Sequence, residues 1–125
     1  MTDALLVAVM GGLGAAARLW VDGTIRARGR TVLPVATITV NVTGSLLIGL
    51  IAGAHLHLGL PLTWRLLGAT GFCGGYTTFS AAAVETVRLA QAGERGRALV
   101  NLLGTMLLTV AAAAAGIGLT ALWGA

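Results

Sequence analysis

Charged side chains are scarce in this sequence of 125 residues, of which 10% are charged and 57% are hydrophobic. Soluble domains carry about 25% charged residues, so the composition excludes an ordinary soluble domain. The mean hydropathy of +0.92 instead predicts a membrane protein. Because a spanning helix needs about 20 apolar residues, the length fits a single domain, residues 1–125, with about four spans.

Cysteine and acidic residues are also rare, and lysine is missing. The single cysteine, Cys73, cannot form a disulfide within the chain. All eight basic residues are arginines, and the pI of about 11.2 would suggest nucleic-acid binding in a soluble protein. Most of these arginines fall in short segments between apolar runs, which favours anchoring at a membrane surface and argues against a nucleic-acid partner.

The apolar runs predict an all-α membrane protein with four spanning helices, over residues 4–21, 33–54, 62–90 and 97–123. The first loop contains Arg26, Arg28 and Arg30, and the third loop is also basic, whereas the opposite side has only Arg65. This asymmetry predicts that the first and third loops lie in the cytoplasm and that both termini lie outside.

The third predicted span contains the segment GFCGGYTTFS, residues 71–80. As a straight helix this span would measure about 40 Å, against about 30 Å for the hydrocarbon core, so it has length to spare. Each interior glycine costs about 1 kcal/mol relative to alanine. We therefore predict that Gly71, Gly74 and Gly75 unwind the helix near its middle. Transport proteins use such breaks to direct carbonyl oxygens and helix ends at ions.

Polar and small side chains recur on one face of each remaining span. Such a stripe either packs helices together or lines a polar path, and each stripe taken alone leaves both interpretations open. The members are Gly11, Ala15 and Arg18 in the first span, Asn41, Gly44, Ser45 and Ile48 in the second, and Asn101, Thr105, Thr109, Ala112 and Gly116 in the fourth.

None of the four carboxylates is predicted to lie well inside a span, which argues against a proton-coupled or cation-extruding site. The polar groups of the spans are amides, hydroxyls and one guanidinium, and a lining of donors favours an anion. The ring edge of Phe79 is positive as well. His55 and His57 lack further ligands at suitable spacing, and we find no catalytic set, so we predict neither a side-chain metal site nor an enzyme.

Four segments, GGLGAAARLW, NVTGSLLIG, GFCGGYTTFS and NLLGT, occur one per span. In this order and spacing they resemble the CrcB-type (Fluc) fluoride ion channels, over essentially the whole chain. The resemblance implies passive export of fluoride across the plasma membrane by an antiparallel, dual-topology dimer. Each dimer would contain two inverted four-helix subunits and two pores.

The resemblance also implies roles for individual residues. Arg18 would lie in a vestibule of the fluoride pore. The pore itself would be lined by Asn41, Phe79, Ser80 and, in the fourth span, Thr105 or Thr109. A structural sodium ion is expected at the dimer centre, held by the backbone carbonyls of Gly74 and Thr77 from each subunit.

Ala82 departs from the family pattern, which usually has a second phenylalanine at this place. The departure and the arginine asymmetry leave two assemblies open. One is an antiparallel homodimer, and the other is a heterodimer in which this chain is a non-conducting or partly conducting partner of a paralogous, oppositely oriented subunit. A small multidrug-type transporter is a third interpretation, and it would need an acidic residue within the first span, where we predict none.

Overall fold

The computed structural model describes residues 2–29 and 33–124, and every regular element in those residues is a helix. In chain order the helices are α1 (Thr2–Ala27), α2 (Val35–His57), α3 (Leu62–Arg65), a π-helix (Leu66–Cys73), α4 (Gly74–Tyr76), α5 (Phe79–Gln91) and α6 (Arg95–Trp123). Three of them, α1, α2 and α6, are long and apolar enough to cross a membrane. The others follow one another as a broken third segment, so the predicted all-helical fold with four segments is confirmed.

The helix ends differ from the predicted spans by a few residues. The first helix continues past residue 21 to Ala27, so Asp22 and Arg26 are helical and do not lie in the first loop. An ion pair with 2.9 Å between Arg26 Nε and Asp22 Oδ2 supports this last turn at the i, i+4 spacing typical of helices. Arg30 lies outside the described residues.

The other long helices are displaced from their predicted bounds in a similar way. Helix α2 begins at Val35 and ends at His57, so both histidines lie in its last turn and not in the following loop. Helix α6 begins at Arg95, slightly before the predicted start at residue 97. These shifts leave the order and number of the segments unchanged.

Helix α2 packs against α6 through glycines. A Cβ at Gly49 would overlap the carbonyl group of Ala113, and a Cβ at Gly116 would lie 2.6 Å from backbone atoms of α2. A Cβ at Gly53 would overlap the Thr120 hydroxyl of α6. Small residues permit such close backbone contact between membrane helices. The glycine pair at 49 and 53 is therefore a packing face.

Helix α1 packs against the π-helix and α4 through glycines as well. A Cβ at Gly14 would overlap the carbonyl oxygen of Phe72, and a Cβ at Gly75 would overlap that of Gly11. A Cβ at Gly71 would lie 3.1 Å from a backbone oxygen of α1. The broken segment is thus held against α1 by direct contact between backbones.

Candidate functional site

The third segment is interrupted at Thr77 and Thr78, where the backbone is extended. Their φ and ψ angles are −79° and 156° for Thr77 and −143° and 118° for Thr78. The predicted break is therefore present, but it follows the glycines. The prediction that glycines unwind the helix is wrong, because Gly71 lies in the π-helix, Gly74 and Gly75 lie in α4, and Gly71 and Gly75 serve close packing.

The side chain of Asn41 on α2 holds the break in place. Its Nδ2 donates to the carbonyl oxygen of Thr78 at 2.9 Å, and the Thr78 amide donates to Asn41 Oδ1 at 2.8 Å. Inside a membrane, backbone groups without helical partners must be satisfied by other protein groups. One turn further along α2, Gly44 leaves room for this approach, since a Cβ there would overlap the Thr77 methyl group.

The break frees the carbonyls of Gly74 and Thr77 from their usual helical donors. In a continuous α-helix, the amides of Thr78 and Ala81 would donate to these two oxygens. Here the Thr78 amide donates to Asn41, and the Ala81 amide donates to Thr78 Oγ1 at 3.2 Å, which caps the start of α5. Backbone oxygens of this kind are suitable ligands for a hard cation.

The surface around Gly74 is open on this subunit. Gly74 is exposed, and a Cβ added to it would meet no atom within 4 Å. Within residues 2–29 and 33–124, no group of three or more His, Cys, Asp or Glu residues could hold a metal ion. The groups that could bind a cation at the break are therefore backbone oxygens.

One face of α5 borders a cavity of about 310 Å³ between α2, α5 and α6, which we call the polar crevice. It brings together four of the predicted pore residues, Asn41, Phe79, Thr105 and Thr109. The described residues that line it include no charged side chain. Their polar groups are amides and hydroxyls, so the crevice offers neutral hydrogen-bond donors along its length.

The polar residues of this crevice that were not assigned to the pore from the sequence include Asn101 and Thr86. Asn101 donates through Nδ2 to Thr86 Oγ1 at 2.8 Å, and the Thr86 hydroxyl donates to the Ala82 carbonyl at 2.8 Å. Asn101 belongs to the polar stripe of the fourth span, whereas Thr86 was missed. Helical spacing could have found Thr86, because it lies seven residues after Phe79 and so shares its face of α5.

The two threonines that the sequence left as alternatives differ in the structure. The hydroxyl of Thr109 donates to the backbone carbonyl of Thr105 at 2.8 Å, so its hydrogen is used within α6. Thr105 Oγ1 and Asn101 Oδ1 are buried and have no partner among the described residues. Thr105 is therefore the threonine whose hydroxyl is available to a ligand in the polar crevice.

Arg18 and Ser80 lie apart from the polar crevice, on the other side of α5. Two smaller cavities, of about 130 and 270 Å³, meet at Arg18, Thr78 and Ala81, and together we call them the arginine crevice. The larger one also contains Ser80. The Nε atom of Arg18 is buried there without a hydrogen-bond partner among the described residues. The structure thus divides the residues predicted for the fluoride path between two crevices, and Thr78 borders both.

Two carboxylates lie nearer to the site than the sequence indicated. Asp22 and Glu85 both line the arginine crevice. Glu85 Oε1 lies 3.1 Å from Arg26 Nη2 and accepts a hydrogen bond from Thr37 Oγ1 at 2.8 Å. The other carboxylate oxygen, Oε2, is buried without a partner in the described part of the chain.

The ring of Phe79 points away from the body of the subunit. It is 88% exposed, although it stands at the start of α5 beside the break. A phenylalanine that borders a polar cavity and is otherwise uncovered can pack against a second molecule or against lipid.

Comparison with known proteins identifies the family of this chain. The family model described as CrcB-like protein, Camphor Resistance (CrcB), matches residues 5–117. Fluoride-specific ion channel FluC 1 of Leifsonia xyli subsp. xyli is 49% identical over 92% of this chain and 84% of its own length. FluC 2 of Cutibacterium acnes is 44% identical over 92% of this chain and 94% of its own length. With its broken third segment bound to Asn41, the chain belongs to the CrcB-like family.

Proposed function

We propose that this chain is a subunit of a fluoride channel, through which fluoride leaves the cell passively and its toxicity is reduced. The chain is a multi-pass protein of the plasma membrane, and its family comprises ion channels and not enzymes. The observation that carries the proposal is the uncharged polar crevice beside the helix break. An anion that sheds water needs hydrogen-bond donors in its place, and neutral donors supply them without trapping it.

The polar crevice is the proposed conduction path. Asn41 has two amide hydrogens, and one of them is used on the Thr78 carbonyl. The second remains for an anion, as does the hydroxyl of Thr105. The positive ring edge of Phe79 borders the same space. In this proposal Thr109 borders the path but offers it no hydrogen, because its hydroxyl donates to the backbone of α6.

The arginine crevice is the proposed vestibule of the path. Arg18 supplies a fixed positive charge with an unpaired Nε, and the Ser80 hydroxyl lies 3.3 Å from Thr78 Oγ1 at the boundary between the crevices. A partly buried cation raises the local concentration of anions. Anions would gather on this side of α5 before they lose their water.

The proposed assembly is an antiparallel dimer. The exposed ring of Phe79 and the open surface at Gly74 support this proposal, because both are free to contact a second subunit. Such a partner would cover the ring and close the polar crevice. Either a second copy of this chain or a paralogous subunit in the opposite orientation could fill this role, with lipid around the remaining apolar faces.

A sodium ion is proposed at the dimer centre. The freed carbonyls of Gly74 and Thr77 support this, because two inverted copies would supply four oxygens for a hard cation. The ion would join the two subunits and take no part in conduction.

The function can be tested with the purified chain in liposomes loaded with potassium fluoride. After a potassium ionophore is added, a fluoride electrode should record rapid efflux. Vesicles loaded with potassium chloride and read with a chloride electrode serve as the selectivity control, and we expect them to release little. Fluoride efflux no faster than from protein-free vesicles would contradict a channel formed by this chain alone.

The sodium site has its own test. Replacement of sodium by N-methyl-D-glucamine should lower the fraction of cross-linked dimer, because an ion that binds only the dimer stabilises it by mass action. Gly74→Ala should also lower the dimer fraction when sodium is present. The added methyl group meets nothing within its own subunit, so the loss would come from crowding at the proposed dimer centre. The control is Gly104→Ala, on α6, which also meets nothing within 4 Å. Dimer fractions that do not depend on sodium would contradict the proposed site.

One observation favours a second candidate function. Ala82 borders the polar crevice one helical turn after Phe79, where it leaves space that the family usually fills with a ring. This chain could then complete the pore of a paralogous partner and conduct poorly itself. Formation of a dimer without fluoride efflux would support this alternative over a homodimeric channel.

A further inference from the structure

Arg26 binds both carboxylates that line the arginine crevice. Its Nε lies 2.9 Å from Asp22 Oδ2, and its Nη2 lies 3.1 Å from Glu85 Oε1. The chain has four carboxylates in all, and Asp3 and Glu94 do not line this crevice. A single guanidinium therefore holds every acidic group described at the proposed vestibule.

The pairing of Glu85 with Arg26 is important because the Glu85 carboxylate is largely buried. Its side chain is only 17% exposed, and Oε2 is buried without a partner. Arg18 Nε is also buried without a partner and borders the same cavity. A partly buried charge is screened much less by salt than an exposed one. If Glu85 were not held by Arg26, its carboxylate would be free to pair with Arg18 or Arg88, which line the same cavity, and its charge would repel an approaching anion.

We propose that Arg26 is a positioning residue for anion access. It keeps Asp22 and Glu85 bound to itself, so that the guanidinium of Arg18 stays available in the vestibule. Thr37 assists by donating to the same Glu85 oxygen. The inference rests on the proposed function, because it concerns the approach of the conducted anion.

If Arg26 only stabilised the fold, its loss would destabilise the subunit and lower efflux through misfolding. The Arg26 side chain is 53% exposed, and exposed ion pairs contribute little to stability. Loss of Arg26 should therefore leave the subunit folded while it frees two negative charges beside Arg18. A defect in flux without a defect in folding separates the two roles.

The test compares fluoride efflux from liposomes that contain the wild-type chain, Arg26→Gln, and the matched control Arg28→Gln. Arg28 is an exposed arginine at the same helix end, and it lies outside the arginine crevice. At low ionic strength we expect about a tenfold loss of efflux for Arg26→Gln, because a poorly screened charge on Glu85 would act strongly in the partly buried cavity that Arg18 also lines. Arg28→Gln should change efflux less than about twofold, because exposed charges are screened.

Two further measurements identify the mechanism. Addition of Glu85→Gln to the Arg26→Gln variant should restore most of the efflux, since it removes the freed charge. Raising the ionic strength should reduce the Arg26→Gln defect only in part, because the Glu85 charge is partly buried, whereas a folding defect would not respond to salt screening at all. Size-exclusion profiles establish that each variant has the wild-type assembly.

The outcomes separate this inference from the function on which it rests. Equal efflux by Arg26→Gln and Arg28→Gln, or no rescue by Glu85→Gln, would overturn the role of Arg26 and leave the channel intact. A wild-type chain that carries no fluoride would overturn the proposed function and the inference together.

Discussion

On one face of α5 the side chains that border a cavity are neutral, and on the other face they include charged groups. The neutral face contains Phe79, Ala82 and Thr86, and the charged face contains Glu85 and Arg88. Charges attract an anion from a distance but also bind it firmly, whereas neutral donors replace water at a lower cost. We infer that one helix separates the collection of anions from their conduction.

The largest expected effect comes from placing a charge on the neutral face. Asn41→Asp should lower fluoride efflux more than about 100-fold, because a buried negative charge near an anion path costs several kcal/mol. The variant also loses the donor to the Thr78 carbonyl. Fluoride efflux from liposomes is the measurement.

The control for this variant is Gln91→Glu, which makes the same amide-to-carboxylate change at an exposed position in the last turn of α5. It should conduct like the wild type. Unchanged efflux by Asn41→Asp would remove Asn41 from the path and with it the distinction between the two faces.

A smaller effect is expected when a neutral donor is removed. Thr105→Val should lower efflux about tenfold, in line with the loss of roughly one hydrogen bond of 1 to 1.5 kcal/mol. Thr109→Val is the matched control on the next turn of α6, and it should change efflux less than about twofold, because its hydroxyl already donates to its own helix. If Thr109→Val were the more damaging change, the path would run along a different part of α6.

The neutral face can also be tested by adding an aromatic ring to it. Ala82→Phe should raise efflux a few fold, since it returns a positive ring edge to the polar crevice. Ala83→Phe is the control, because Ala83 borders the same cavity but follows one position later on the helix. We expect it to obstruct the path and lower efflux. Reduced efflux by both variants would mean that the space at Ala82 is needed as it is.

The smallest effect is expected on the charged face. Ser80→Ala removes a hydroxyl that is exposed and lies 3.3 Å from Thr78 Oγ1. Because water can replace an exposed group, efflux should fall less than about twofold. A loss as large as that expected for Thr105→Val would show that both faces line one dehydrated path.

The sequence predicted the features that depend on local properties. Four apolar segments follow from composition. An interruption of the third was predicted from its excess length and its central glycines, although the break lies at Thr77 and Thr78. The spacing of Gly49 and Gly53 is typical of close helix packing, and the contact of Gly49 with Ala113 is of this kind. Each of these properties depends on the sequence of a single segment, so it can be predicted without knowing the contacts between segments.

The location of the break could not be predicted, because it depends on a contact between distant segments. Thr77 and Thr78 are extended where Asn41, from another helix, satisfies the backbone. The last turn of α1 likewise contacts a distant segment, through the ion pair between Arg26 and Glu85. The division between crevices was partly predictable, since Phe79 and Ser80 are adjacent and must point in different directions from one helix.

The hydrogen-bonded ring between Asn41 and Thr78 limits which amino acid can stand at position 41. A single planar group must offer a hydrogen to the Thr78 oxygen and a lone pair to the Thr78 nitrogen at once. Aspartate has no hydrogen to donate at neutral pH, and alanine has neither a hydrogen to donate nor a lone pair to accept with. The side chain of glutamine is one carbon too long for the same spacing. The choice of asparagine is therefore imposed by the architecture of the subunit before any ion arrives.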